Sequence, residues 1–129
     1  MRLLLDTHAF LWALTTPERL SPRARRSIED QDSEVNVSAA TVWEIAIKAH
    51  LGRLEPEVDE LERTIPEEIE RHAFQPLSVH VRHALRVAAL PDHHRDPLDR
   101  LLVAQAMVED LVLVTNDPEI RRYPVKTIW

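Results

Sequence analysis

The chain has 129 residues, of which 44% are hydrophobic and 29% charged, and its formal net charge is −6. This length suits one domain with a real core, and the composition is typical of a soluble globular protein. The absence of cysteine excludes a disulfide framework and a thiolate zinc site. No apolar run approaches the roughly 18 residues that span a bilayer, and the N-terminus lacks the long apolar core of a signal peptide. We therefore expect a cytoplasmic protein without membrane contact.

Gly52 is the only glycine in the chain. Glycine-rich phosphate loops need several glycines for tight turns and close backbone approach, so Walker and dinucleotide-binding sites are excluded. The negative net charge argues against a protein that coats nucleic acid by charge alone. A nuclease remains compatible with it, because a bound metal masks acidic side chains at the point of contact.

Strand and helix signals alternate through the first half of the chain. Short apolar runs predict buried strands at residues 3–5 and 34–38. Helices are predicted at residues 8–14, 22–30 and 39–50. Ser21 is the predicted N-cap of the second helix, and Gly52 lies where a C-cap glycine ends the third.

The second half begins with residues 53–72, the most polar part of the chain. They predict two amphipathic helical pieces, interrupted by Pro66, whose charges form a solvated face. A weak strand at 74–77 follows, and Ser78 is predicted to cap a helix that runs to about residue 89. The remaining predictions are a polar loop at 91–97, a helix at 98–108, a strand at 111–114, a turn at 116–118 and a last strand at 125–129.

This alternation of strands and helices predicts right-handed βαβ units and a mostly parallel sheet covered on both faces. The chain contains no linker, internal repeat or low-complexity segment. Residues 1–129 are therefore expected to form a single α/β/α sandwich.

Five carboxylates follow predicted strand ends or begin the next helix: Asp6, Glu44, Asp96, Asp99 and Asp117. Because parallel strands point the same way, these positions share the sheet edge at which open α/β sheets bind ligands. Two carboxylates 4 Å apart repel by about 4 kcal/mol at an effective dielectric constant of roughly 20. Protonation, pairing with Lys or Arg, or a divalent cation relieves that cost. An all-oxygen set without cysteine favours Mg²⁺ or Mn²⁺.

Each acid also has a structural interpretation. Asp6 can N-cap the helix that follows it. Glu44 fits a capping box begun by Thr41, and it can pair with Lys48 one turn further on. These roles do not require the acids to share one edge of the sheet, so the joint pattern favours a metal site.

The acids of the C-terminal half have similar alternatives. Asp96 precedes a proline and is a good N-cap, and Asp99 in the first turn faces the helix dipole. Asp117 suits a turn. The adjacent histidines His93 and His94 look like a metal pair, but neighbours on a loop seldom bind one ion without further ligands.

Four blocks of the sequence resemble, in order, those of PIN-domain ribonucleases, and more narrowly those of the VapC toxins of toxin–antitoxin pairs. They are residues 4–8, 38–48, 94–106 and 114–117, which together span nearly the whole chain. The third block, with its Asp-Pro-x-Asp-Arg pattern followed by Ala-Gln-Ala, is the most specific. Leu98 stands where the family more often has Phe, a change that concerns packing.

The resemblance implies a five-stranded parallel sheet and an endoribonuclease that depends on Mg²⁺, with Mn²⁺ as the alternative cofactor. It also implies inhibition by a cognate VapB-type antitoxin, a toxin homodimer and a toxin–antitoxin hetero-oligomer. Carried over by position, the acidic metal site consists of Asp6, Glu44, Asp99 and Asp117. Asp96 aligns less well and is assigned a supporting or capping role.

On this hypothesis Asp6 and Asp99 hold the principal ion, while Glu44 and Asp117 ligate through water or shape a second site. RNA phosphodiester hydrolysis by an activated water would leave a 5′-phosphate and a 3′-hydroxyl. Neighbouring polar side chains are expected to orient the acids: Thr7, Thr115 and Asn116. Three cations are candidate contacts for RNA phosphates, although solvated surface charge explains them equally well: Lys48, Arg95 and Arg100.

Three other functions are compatible with parts of the pattern. A haloacid-dehalogenase-type phosphohydrolase also has an Asp after its first strand, but it needs a second Asp where this chain has His8. A PIN-like module that binds RNA without cutting it is a second alternative. The presence of all four acids of the metal site argues against it. A role in protein interaction is a third, since Trp12, Trp43 and the helix at 58–72 could form an apolar groove for a VapB partner.

Overall fold

The computed structural model describes residues 1–54 and 60–129. A five-stranded sheet, parallel throughout and in the order β3-β2-β1-β4-β5, forms the middle layer. Its strands are β1 (Arg2–Leu5), β2 (Glu34–Ser38), β3 (Gln75–Leu77), β4 (Val112–Val114) and β5 (Thr127–Ile128). The α-helices are α1 (Thr7–Thr15), α2 (Pro22–Glu29), α3 (Ala39–His50), α4 (Leu61–Arg71), α5 (Val81–Val87) and α6 (Pro97–Glu109).

Strand β1 lies at the centre of the sheet because it is apolar on both faces. Leu3, Leu4 and Leu5 are completely buried. Leu3 and Leu5 pack into one hydrophobic cluster with Phe10, whereas Leu4 packs into a second cluster on the opposite face with Val103. Alternate side chains of one strand therefore serve two cores, as the pleat requires. The predicted α/β/α architecture is confirmed.

Side-chain caps begin most of the helices close to where the sequence predicts them. Asp6, Ser21, Ser38 and Asp96 accept backbone N–H bonds at the starts of α1, α2, α3 and α6. Gly52 has φ +66° just after α3, which confirms its role as the residue that ends this helix. Among the described residues, no helix is long and apolar enough to cross a membrane.

The predicted interruption at Pro66 is wrong, since α4 runs through this residue. Proline removes one helical hydrogen bond, but Pro66 lies on the exposed side of the helix, where water can satisfy the freed carbonyl. On the other side Ile65 is buried, and Leu61 and Ile69 pack against the core. Burial of this apolar face therefore holds the helix together. Residues 55–59 of the predicted amphipathic segment lie outside the described residues.

Ser78 is not the N-cap of the following helix, which begins at Val81 with His80 at the cap position. The backbone N–H of His80 donates to Nδ1 of the buried His83 at 3.0 Å. The carbonyl of Ser78 instead accepts a bond of 3.3 Å from the side chain of Gln105. Two short 3₁₀ helices, Pro17–Arg19 and Ile120–Arg122, were not predicted.

Gln105 of α6 contacts both the start of α3 and the segment after β3. It is fully buried, and its Oε1 accepts a bond of 2.6 Å from the hydroxyl of Ser38, the residue that caps α3. Its amide also reaches the carbonyl of Ser78. A buried amide satisfied in this way fixes the position of α6 relative to the start of α3.

Candidate metal centre

The carboxyl edge of the sheet carries an open pocket of about 310 Å³. All five predicted acids line it, because each follows β1, β2 or β4 or lies in the first turns of α3 or α6. The other lining residues are Thr7, His8, Trp12, Lys48, Asn116 and Trp129. The parallel topology thus brings together side chains that are more than 100 positions apart in the chain, from Asp6 to Asp117.

Asp6 both caps α1 and lines the pocket. Its Oδ1 accepts a bond of 2.8 Å from the backbone N–H of Ala9, which confirms the capping interpretation. Burial raises the pKa of Asp6 above its ordinary value, although a hydrogen bond from the Thr115 hydroxyl and the one from Ala9 act in the opposite direction. A carboxylate held in a cap therefore presents negative charge to the pocket at some cost in free energy.

Asp99 is the most electrostatically strained member of the set. Its pKa is raised to about 7, first by burial and then by the charges of Asp96 and Glu44. One oxygen from each of these three acids lies within 4.8 Å of the others. Lys48 Nζ offsets part of the charge, lying 3.0 Å from Glu44 Oε2. The predicted pair Glu44–Lys48 is confirmed, but a capping box at Thr41 is wrong, since Ser38 caps this helix.

Asp96 does two things in the structure. Its Oδ1 accepts from the backbone N–H of Leu98 at 2.9 Å, which confirms it as the N-cap of α6. Two groups of possible metal ligands have donor atoms within 4.8 Å of one another, and Asp96 belongs to the one formed with Glu44 and Asp99. Among the described residues, Asp6 belongs to neither of these close groups. Asp99 is common to both groups, the second of which is formed with His94 and Asp117.

His94 is the site residue that the sequence understated. Its Nε2 lies 2.8 Å from Asp117 Oδ2 and 3.3 Å from Asp99 Oδ2. The backbone N–H of Asp96 donates to Nδ1, so the neutral ring carries its proton on Nε2, between the two carboxylates. Burial alone lowers the pKa of His94, but Asp117 and Asp99 raise it overall. His93 does not join the cluster and packs its ring against Tyr123.

The predicted orienting residues behave differently from one another. Thr115 accepts the backbone N–H of Asp117 at 3.0 Å and donates to Asp6, so it links two of the acids. The buried hydroxyl of Thr7 has no hydrogen-bond partner among the described residues. Asn116 is exposed at the rim of the pocket.

The three cations predicted to meet RNA also differ. Lys48 stays half-exposed at the pocket, and Arg95 is exposed on the loop before α6. The side chain of Arg100 is only 15% exposed, because its guanidinium bonds the carbonyls of Pro91 and Val87 and the hydroxyl of Tyr123. These contacts give Arg100 the task of holding the loop that carries His94.

The donor set fits a hard divalent cation. Five carboxylates converge in a pocket that is open to solvent, and the nearby Lys48 pairs with only one of them. The raised pKa of Asp99 indicates negative charge that the neighbouring groups only partly compensate, and the hydroxyl of Thr7 has no partner among the described residues. Oxygen ligands of this type suit Mg²⁺ or Mn²⁺.

Comparison with known proteins defines the class of protein to which this site belongs. The PIN-domain family model matches residues 3–126. The solved structure of VapBC2 from Rickettsia felis, bound to a promoter DNA fragment, has a TM-score of 0.73 with 15% identity over 100% of this chain and 99% of that one. DNA-bound VapBC from Salmonella typhimurium gives 0.68 with 17% identity, covering 99% and 97%. The chain belongs to the PIN-domain family.

A curated relative narrows the assignment. Ribonuclease VapC22 from Mycobacterium tuberculosis is 33% identical to this chain, and the match covers 98% of this chain and 97% of that protein. The chain is therefore a VapC-type member of the family.

Proposed function

We propose that this protein is the toxin of a type II toxin–antitoxin pair and acts as a metal-dependent endoribonuclease. The observation that carries the proposal is the convergence of five carboxylates in one open pocket, with the pKa of Asp99 raised to about 7. Its match to a protein named as a ribonuclease supports RNA as the substrate. A PIN-like module that only binds RNA does not need crowded carboxylates, whose mutual repulsion costs free energy.

The proposed metal ligands are Asp6, Glu44, Asp99 and Asp117, with Mg²⁺ as the cofactor and Mn²⁺ as the alternative. Asp99 is the central ligand, because it belongs to both close groups of donor atoms. Asp96 is close enough to Glu44 and Asp99 to add a ligand while it caps α6. The chemistry supplied by such an ion is polarisation of a phosphoryl oxygen and a lowered pKa of bound water.

The protein's own groups hold these acids in place. Lys48 holds the carboxylate of Glu44, and the hydroxyl of Thr115 links Asp6 to the backbone of Asp117. His94, with its proton on Nε2, fixes the orientation of Asp117 and faces Asp99. Such supporting contacts change activity in metal sites by about 10- to 100-fold.

Metal removal tests this proposal. We expect the purified protein to cleave total RNA in the presence of Mg²⁺ or Mn²⁺, to leave 5′-phosphate and 3′-hydroxyl ends, and to stop when EDTA is added. Gel analysis measures cleavage with and without EDTA, and end-mapping of the products identifies their termini. Cleavage that persists in EDTA would contradict a metal-dependent mechanism, and RNA that is bound but left intact would favour the non-catalytic alternative.

We also propose a VapB-type antitoxin as the protein partner. An apolar groove of about 600 Å³ lies between α3 and α4, with Val42, Ala46, Ile65 and Phe74 among its walls. Glu44 projects from the same helix as Val42 and Ala46, so a segment seated in the groove contacts the helix that positions an acid of the site. An amphipathic segment is the type of ligand that such a groove accepts. Both solved structures compared above are of VapBC assemblies, which supports the same pairing.

A charged residue in the groove tests the antitoxin proposal. We expect a small neighbouring reading frame whose product co-purifies with the toxin and suppresses RNA cleavage. Ala46 is an exposed residue of the groove, and the variant Ala46→Glu should abolish co-purification. The control variant Ala84→Glu, at an exposed position of α5, should not. Equal co-purification of the two variants would contradict this docking site. The molar masses of free toxin and of the pair test the proposed homodimer and hetero-oligomer.

A further inference from the structure

A second pocket of about 340 Å³ adjoins the acidic one and has the opposite charge. Its charged side chains are Arg19, Lys48 and Arg53, and no carboxylate is among the described residues that line it. The two pockets share His8, Trp12 and Lys48 as common walls. An acidic and a basic pocket therefore lie side by side, although the protein as a whole has a net charge of −6.

The two arginines of this basic pocket have unused binding capacity. Both are exposed, and among the described residues neither side chain makes an ion pair or hydrogen bond. Several other exposed arginines are paired with glutamates, as in Arg25–Glu29 on α2 and Arg71–Glu68 on α4. In a chain with 22 acidic residues, two unpaired arginines in one pocket are free to receive an external anion.

Arg19 is also held in position by an aromatic ring. Its guanidinium carbon lies 4.5 Å from the centre of the Trp12 ring, a cation–π geometry. Trp12 in turn contacts Trp129, which lines the acidic pocket. A planar guanidinium fixed in this way suits bidentate recognition of a phosphate.

We propose that the basic pocket binds a backbone phosphate of the RNA strand next to the one that is cut. This inference rests on the proposed function, because it takes the acidic pocket as the place of the scissile phosphate. A polyanion approaching a protein of negative net charge needs local cations, and Arg19 and Arg53 are the unpaired ones that line the pocket beside the acids. Lys48, on the shared wall, continues the line of positive charge from this pocket towards Glu44.

The double variant Arg19→Ala/Arg53→Ala tests the basic pocket. With a short single-stranded RNA and Mn²⁺, we expect KM to rise about tenfold while kcat stays within about twofold, because the groups bind substrate without touching the reacting atoms. The slope of log KM against log salt should fall in magnitude by about 0.7, the change expected when a single strand loses one phosphate contact. Arg19→Lys/Arg53→Lys, which keeps the charge, should retain most of the slope.

A matched control removes the same charge elsewhere. Arg71→Ala/Arg86→Ala takes two exposed arginines from α4 and α5, and we expect unchanged KM and salt slope. Thermal melting of each variant confirms that it is folded. If the wild type does not cleave RNA at all, the proposed function fails; if it cleaves and the Arg19/Arg53 double variant keeps its KM and slope, only the present inference is overturned. Loss of antitoxin binding with an unchanged KM would likewise overturn it, since the cations would then serve a protein partner.

Discussion

Replacement of Asp99 by asparagine is expected to lower kcat/KM for RNA cleavage by more than about 100-fold, since even partners outside the coordination sphere of a metal cost up to about that factor. Asp99 is shared by both close groups of donor atoms, so its loss affects every arrangement of ligands that the pocket allows. Asparagine has nearly the same shape and keeps one oxygen, but it lacks the charge that holds a divalent cation. Initial cleavage rates with Mn²⁺, compared at equal protein concentration, measure the effect.

Two further variants make this test specific. Asp6→Asn should also abolish cleavage without unfolding the protein, because an asparagine oxygen can still cap α1 at the N–H of Ala9. Asp32→Asn removes an exposed acid from the turn before β2 and should leave the rate unchanged. A well-folded Asp6→Asn protein with full activity would disprove the proposed catalytic site.

The metal-free protein is expected to lose stability as the pH rises from about 5 to about 8, by about 1–3 kcal/mol in the free energy of unfolding. Burial and the charges of Asp96 and Glu44 raise the pKa of Asp99 from 3.8 to about 7 in the folded state. The folded protein therefore binds the proton more tightly than the unfolded chain does. This contribution to stability is complete below about pH 3.8 and is lost as the pH rises through about 7. The raised pKa of Asp6 acts in the same direction.

Thermal melts of chelator-treated protein at several pH values check this prediction. Asp99→Asn should raise the melting temperature at about pH 8 by several degrees and should have a smaller effect near pH 5, because the loss of stability grows until the folded carboxyl is ionised. Mg²⁺ or Mn²⁺ should restore the melting temperature of the wild type at high pH and have less effect on the variant. If Asp99→Asn destabilises the metal-free protein at high pH, the carboxylates are not in the conflict that the geometry indicates.

The fold was largely predictable because burial dominates its pattern. The run Leu3-Leu4-Leu5 has no polar side chain to expose, which leaves it only the centre of a sheet. Once the strands are parallel, their carboxyl ends must share an edge, so the meeting of Asp6 and Asp117 in one pocket follows from topology. The capping roles of Asp6 and Asp96 were also predictable, since local chemistry decides them.

The errors arise where a distant contact outweighs a local preference. Pro66 favours a break in the helix, but packing of Ile65 and its neighbours on the core offsets the lost hydrogen bond. Ser78 is a good capping residue by type, yet its carbonyl is bound by Gln105, which comes from another helix. Sequence spacing gives no information about either contact.

The orientation of the His94 side chain towards the acids could not be predicted from its neighbours in the sequence either. It projects from an irregular loop, and its orientation depends on Arg100, which ties that loop to Tyr123 and to two backbone carbonyls. An arginine at this spacing could equally have been a surface charge that meets RNA. The sequence did contain one indication of this role of His94. This residue comes just before α6, which Asp96 caps and which carries Asp99 in its first turn, so it had to lie near these two acids.

The pairing of β1 with β4 has a consequence for the order in which this protein is made. Leu3 is aligned with Val112, so the central strand β1 can pair with β4 only after more than a hundred further residues have been synthesised. Asp6 and Glu44 are synthesised early, whereas Asp99 and Asp117 come with the last third of the chain. Contacts of such long range form late in folding. A nascent or prematurely terminated chain therefore carries half of an acid cluster and no complete site, which would delay the nuclease that we propose until translation of the domain is finished.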